Sequence, residues 1–251
     1  MPTDPFVITV ILVGAGLGGL ASGLAGFAFA ATTLGLYAHV LPPELLSPVV
    51  VAASLSVQLM AIPMLWKVLD WKTALPFLIA GILGVPVGVM LLAELSAEDF
   101  RLMAGVILLI YSISVLASGR MPTITTKNRF ADGAVGFAGG VLGGFAGLSG
   151  VLPTIWCSLR RWPKDRQRSV FQLFNTAMHI TTLASYGVAG RLTADVGWTL
   201  LLALPAIALG GWAGIRLYKR VNDKAFARVL LVLLGLSGLT LVAPHAAQLL
   251  S

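Results

Sequence analysis

Apolar positions run through this chain in long blocks, and polar residues are confined to the gaps between them. The blocks fall at 5–37, 45–66, 73–93, 100–118, 133–159, 169–188, 196–217 and 225–243. Most have the length of about 20 residues that a helix needs to cross a bilayer. Two are longer, 5–37 and 133–159, and both are laden with glycine. The second contains GFAGGVLGGFAGLSG at 136–150, followed at once by Val151, Leu152 and Pro153. The first contains GAGLGGLASGLAGFAFA at 14–30. Glycine weakens a helix by about 1 kcal/mol relative to alanine, so such runs do not serve helix propensity. They let backbones approach closely, or let the chain break and turn at membrane depth.

Composition narrows the class. Apolar residues make up 57% of the chain and charged residues 11%, against about 25% charged in soluble domains. The chain reads as an all-α polytopic membrane protein. A net charge of +7 raises the question of a nucleic-acid partner, but no basic stripe lies on a soluble module, so none is expected. Lys and Arg instead set topology, because they gather in cytoplasmic loops. Cys157 is the single cysteine, which excludes an intramolecular disulfide and a thiolate metal cluster. The first six residues carry Asp4 and no basic residue. They lack the positive start of a signal peptide, so the first block is expected to be retained.

The two halves can be laid over each other. At an offset of 121, Gly18 and Gly19 fall on Gly139 and Gly140, Gly23 on Gly144, Gly26 on Gly147, and Pro42 on Pro163. At the same offset Ser54 falls on Asn175 and Gln58 on His179. Further on the offset becomes 126, placing Gly84 on Gly210 and Gly88 on Gly214. The implied organisation is a first four-segment repeat at 1–118, a cytoplasmic linker at 119–132 and a second repeat at 133–251. If each Gly-rich block crosses once, the basic residues divide weakly between the two faces. If each enters and returns as a re-entrant hairpin, one face keeps only Arg101 and Arg191 and the other gathers fifteen of seventeen. The positive-inside rule favours the second arrangement, in which the repeats are inverted. Trp66, Trp71, Trp162 and Trp198 then fall near span ends, as an interfacial belt requires, while Trp156 and Trp212 lie deeper, where packing is expected.

Candidate chemistry is sparse. No acidic residue falls at mid-span, which argues against a carboxylate cation site. The three histidines, His39, His179 and His245, lack metal-ligand spacing. No cofactor is expected, and no nucleophile–base pair suggests an enzyme. What the interior offers is neutral donors and helix ends. Hairpin tips near 26–28 and 147–150 would aim unsatisfied N–H groups inward, which suits an anion. Gly26, Gly147, Gly150 and Ser149 belong to these tips. Gln172, Asn175, Thr176 and His179 share one helical stripe, and Ser54 and Gln58 stand in the equivalent place. The stripe is favoured as site lining over helix–helix glue. His179 is either a neutral hydrogen-bonding group or a carrier of a coupling proton. Arg166 or Arg168 could draw anions to the inner mouth.

Two modules that each open with a Gly-rich segment, followed by a proline-led loop and a span with a Ser or Asn position, resemble the sulfite exporter TauE/SafE family. The likeness covers about 12–241. GFAGLSGVLP at 144–153 is similar to the family's Gly-rich stretch, and 169–184 to the span after it, with Asn175 near its small polar position. Ser149, Gly150 and Val151 stand where the family has a tighter glycine triplet, and Thr32 stands opposite Pro153. The resemblance implies a secondary transporter that exports sulfite, organosulfonates or related anions across the bacterial inner membrane, with basic loops in the cytoplasm. The rival readings are a passive anion channel of the same fold, a membrane enzyme and a structural subunit. No residue pattern sets an oligomeric state.

Overall fold

The computed structural model describes residues 4–66, 69–118, 123–125, 128–217, 235 and 238–243. Nine helices are bounded among them: α1 (Pro5–Ala25), α2 (Phe29–Tyr37), α3 (Pro43–Leu65), α4 (Trp71–Glu94), α5 (Ala97–Ser118), α6 (Arg129–Ala146), α7 (Val151–Leu159), α8 (Lys164–Val188) and α9 (Ala194–Leu217). Residues 238–243 are also helical and pack on α5, where Gly238 and Gly105 approach each other. The rest of the last apolar block and most of the basic run at 216–228 lie outside the described residues.

Local chemistry sets the helix starts. Asp4 accepts the Phe6 N–H at 2.8 Å, with Pro5 at the first helical position. Asn128 accepts from the N–H groups of Phe130 and Ala131, so α6 begins at Arg129. Residues 129–132, assigned to the linker by composition, are therefore helical. α8 likewise begins at Lys164, five residues earlier than its apolar block, because charged residues are tolerated in a first turn at the membrane surface.

The helices α1, α4, α9 and the Pro43–Pro63 portion of α3 are long and apolar enough to cross a membrane. Large apolar side chains such as Leu83, Met90, Ile113 and Leu209 are exposed on the bundle's flanks. In water such a surface would be a liability; in lipid it is the ordinary outer face of a span. Trp66, Trp71 and Trp198 are exposed near helix ends, as an interfacial belt requires. Trp212 differs from its expected packing role: it is exposed, with the Arg216 guanidinium 4.1 Å from its ring centroid. Stacking on a cation at the bundle's flank replaces burial.

Both glycine-rich blocks break and double back. α1 ends on Gly26, in the left-handed region at φ 91, and α6 ends on Gly147 at φ 72. A side chain resists this conformation, and glycine adopts it freely. The nine-residue α2 returns along α1, with the Tyr37 hydroxyl donating to the Ile11 carbonyl at 2.7 Å. The nine-residue α7 returns along α6, where Trp156 donates to Asp132 at 2.7 Å and Arg160 pairs with Asp132 at 3.2 Å.

Each long arm packs against a helix from the other half. Gly16, Gly19 and Gly23 of α1 meet Ala206, Ile207 and Gly211 of α9 in rising order, so the two run parallel. Gly136, Gly140 and Gly144 of α6 meet Phe77, Gly81 and Val85 of α4 in the same way. The glycines let these backbones touch: a methyl on Gly140 would strike the Gly81 carbonyl, and one on Gly84 the Phe137 carbonyl. Between the two pairs α3 and α8 cross antiparallel, tied by Gln172 Nε2 donating to the Gln58 carbonyl at 2.8 Å.

Candidate functional site

The two helix breaks lie against each other at the centre of the bundle. A Cβ added at Gly150 would stand 2.6 Å from the Phe27 Cβ, and one at Gly147 would stand 3.5 Å from the Ala30 Cβ. The two returning helices therefore start side by side, α2 after its N-cap Ala28 and α7 after its N-cap Gly150. Neither start is capped by a side chain. Among the described residues no hydrogen bond reaches the N–H groups of Phe29, Ala30 and Ala31 in one, or of Gly150 and Leu152 in the other. Buried helix starts of this kind carry partial positive charge and unsatisfied donors.

α8 supplies the side chains that face these ends. The Ser149 hydroxyl donates to Asn175 Oδ1 at 2.7 Å and lies 3.5 Å from His179 Nε2. Ser149, Asn175 and His179 are all buried. Asn175 Nδ2 and His179 Nδ1 make no hydrogen bond among the described residues. A buried amide with two unused N–H groups is costly unless something else accepts from it. An Asn175 atom would also lie 3.1 Å from a Cβ at Gly150, so the amide sits directly on the break.

The other expected residues have different employment. Ser54 donates to the Val50 carbonyl one turn back on its own helix, at 2.7 Å. Gln58 Nε2 donates to the Gly26 carbonyl at 2.6 Å and thereby secures the first break. Gln172 ties α8 to α3 and contacts the Thr176 hydroxyl at 3.3 Å, while its buried Oε1 has no partner among the described residues. Gly147 lies beside His179 at the second break. Ser149, Gly150, Asn175 and His179 thus form one cluster, and Gly26, Gln58, Gln172 and Thr176 form a neighbouring one that holds the helices together.

Two side chains join the picture that residue spacing did not single out for the centre. Phe27 occupies the first break and meets Phe171 and Tyr111 edge-on, with ring centroids at 5.3 and 6.2 Å. Its only sequence signal is its place after Gly26. Arg168 is buried, and its guanidinium reaches the end of α1. The signal for it was present: it stands one turn before Gln172 on the same stripe. Cys157 is buried and free. A groove of about 410 Å³ opens between α4 and α6, lined by residues including Pro76, Ile79, Arg129 and Phe137. Its walls are apolar, and it is remote from the breaks, so it is not part of this site.

The chain is a helical, multi-pass membrane protein with a buried polar cluster beside two uncapped helix starts. The profile of the sulfite exporter TauE/SafE family matches residues 10–241, and the chain belongs to that family, whose members are transporters and not enzymes. No curated protein and no solved structure gives a match.

Proposed function

We propose that this protein is a secondary transporter that exports a small sulfur-containing anion, sulfite or an organosulfonate, across the inner membrane by alternating access. In this reading the halves are inverted repeats, and the α1–α2 and α6–α7 hairpins are re-entrant from opposite faces. Support comes from the reciprocal pairing of α1 with α9 and of α6 with α4, and from the antiparallel crossing of α3 and α8. The basic loops face the cytoplasm, as the distribution of Lys and Arg favours.

The observation that carries the proposal is the meeting of two uncapped helix starts with the unused amide donors of Asn175, beside His179. Oriented N–H groups in a site closed to water select negative charge without needing a buried cation there. Ser149 and the backbone at Gly150 would hold one oxygen, and Asn175 and His179 another. Gln172 and Thr176 line the approach, and Gly26, Gly147, Ser54 and Gln58 shape the breaks. Because Phe27 rests on Gly150, the anion is admitted only when the tips part. The glycine-packed pairs α1–α9 and α4–α6 are the bodies that would rock.

Reconstituted into proteoliposomes, the protein should take up labelled sulfite saturably and support counterflow. Conductance with neither property would replace the carrier by a passive channel. Sulfite, sulfate, thiosulfate and short sulfonates should be compared by thermal unfolding of the purified protein. A true ligand at one hundred times its Kd stabilises by about 2.7 kcal/mol; no shift with any of them would remove the anion site.

A further inference from the structure

The close packing of α4 on α6 loosens toward the end where both helices begin. A Cβ at Gly136 or Gly140 would strike the backbone of α4, whereas one at Gly133 would meet the Ala80 Cβ at 3.7 Å and the Pro76 carbonyl at 3.8 Å, an ordinary contact. The groove of about 410 Å³ lies along this looser stretch. Ala80, Gly133 and Ala134 leave the space by being small, and Phe130 and Phe137 stand seven residues apart on the α6 wall. From one phenylalanine to the other the helix rises about 10 Å, two-thirds of the depth of one leaflet's hydrocarbon. Phe130 is 86% exposed, so the groove opens outward to lipid.

Cations gather at its mouth. Arg129, the first residue of α6, lines the groove and is exposed. Lys72, also exposed, stands one turn before Pro76 on α4. Arg166 reaches the same turn, where Nη2 donates to the Thr73 hydroxyl at 3.1 Å. The carboxylates nearby are otherwise engaged. Asp70 accepts from the Thr73 N–H and hydroxyl at 3.1 and 2.6 Å, and Asp132 accepts from Trp156 and pairs with Arg160. Exposed Trp71 marks this turn as the membrane interface. Positive charge therefore stands at headgroup depth, above an apolar slot.

We propose that the α4–α6 groove binds one anionic phospholipid from the leaflet at this end of the bundle. Its phosphate lies against Arg129 and Lys72, and one acyl chain runs down the slot from Pro76 toward Phe137. The guanidinium offers a fork to two phosphate oxygens, and the ammonium adds a point charge. A zwitterionic lipid brings the same chain but adds a cationic amine to a mouth that is already positive, so the site selects by headgroup charge. By filling a gap in a pair that is otherwise packed backbone on backbone, the lipid steadies the start of α6 against α4.

Native mass spectrometry of the purified full-length protein in a non-ionic detergent tests this, with phosphatidylglycerol and phosphatidylcholine of equal chain length as the probes. The first phosphatidylglycerol should bind about tenfold or more tightly than the first phosphatidylcholine. Arg129→Gln should lower the phosphatidylglycerol affinity about fivefold and leave that of phosphatidylcholine within about twofold; Arg129→Lys should fall between. Gly133→Leu puts a side chain into the slot from a position that accepts a Cβ, and should weaken the first phosphatidylglycerol about tenfold. Glycerol phosphate, the headgroup without chains, should not displace the lipid at equal concentration. Equal affinity for the two lipids, or an Arg129→Gln variant that binds both as the wild type does, would leave only ordinary annular lipid and overturn the site. Displacement by glycerol phosphate would make the mouth a site for a soluble phosphate and also overturn it. A dimer that Gly133→Leu abolishes, with no lipid preference, would give the groove to a second copy of the chain and overturn it too. If Gly133→Leu does not accumulate, Ala134→Leu fills the slot from an exposed position, and the Arg129 series decides the proposal whichever of the two folds.

Discussion

The break at Gly26 and the break at Gly147 share a backbone and differ in what their side chains leave undone. Both are left-handed glycines at the end of a long arm, both are followed by a nine-residue returning helix, and neither return is capped. Around the first, Gln58 is bonded to the Gly26 carbonyl and Ser54 to its own helix, so the polar groups are engaged in holding shape. Around the second, His179 replaces Gln58 and Asn175 replaces Ser54, and both keep a buried nitrogen unbonded. A hydroxyl, Ser149, also appears where the first break has Ala28. In the proposed reading one half supplies the frame and the other supplies the recognition chemistry. If the halves are repeats, the backbone must match on both sides for the arms to interlock, while a single central site would need its donors only once.

The shared part of the comparison is the most easily broken. Gly140 and Gly19 occupy matching positions, and an added Cβ would meet the Gly81 carbonyl in one case and lie 2.8 Å from the Ile207 carbonyl in the other. Backbone cannot yield as a side-chain tip can. Gly140→Val and Gly19→Val should each cost at least the upper part of the about 1–3 kcal/mol typical of overpacking. Loss of monodisperse protein in detergent, or a much lower unfolding temperature, checks this. Similar losses in both would show that the frame is equally tight on the two sides; a tolerated valine at either position would show that the pair there is loose.

The part that differs should answer to substitution in only one half. Asn175→Ala removes the amide that sits on the second break and leaves the Ser149 hydroxyl without its acceptor. Transport should fall about a hundredfold, equivalent to about 2.7 kcal/mol of lost stabilisation. Ser54→Ala removes only a bond back to Val50 and should change the rate by less than about threefold. Initial rates of labelled sulfite uptake at matched protein content decide it. Equal losses would return both residues to a structural role. Ser149→Ala comes next, with about a tenfold loss, because one hydroxyl is lost while the backbone N–H groups stay in place.

Much of this architecture was legible in the residues. The breaks fall at 26–28 and 147–150, where glycine spacing put them, because a left-handed turn followed by a fresh helix start needs glycine and leaves little choice of position. The stripe on α8 was visible because neutral polar residues at helical spacing are costly inside an apolar span unless they bond a neighbour or line a site. What could not be read was partnership. Nothing in the order of residues says that Gln58 bonds the Gly26 carbonyl while its counterpart His179 leaves Nδ1 unused, since that depends on ångström-scale reach between helices far apart in sequence. The place of Arg168 on the stripe was visible, but its inward reach was hidden for a related reason. It sits in a run with Arg160, Arg161, Lys164 and Arg166 that reads as a surface anchor, and only the depth reached by α1 turns one member inward. The early starts of α6 and α8 escaped because hydropathy marks where lipid begins, whereas capping by Asn128 and tolerance of charge mark where the helix begins.

The smallest and most discriminating change is His179→Gln. Glutamine is what the first half carries at this position, and there it bonds the backbone of the break through Nε2. The substitution therefore imports a side chain already suited to the place, with a donor able to face Gly147 and no group that titrates near neutrality. Folding and the rate at a single pH should change by no more than about threefold. If His179 carries the coupling proton, the dependence of transport on pH should flatten in the variant, because the replacement side chain cannot take up a proton. A profile that keeps its shape would assign His179 to the same task as Gln58, a neutral group that positions the break. The two halves would then differ by Asn175 and Ser149 alone, and any coupling to protons would have to enter elsewhere in the bundle.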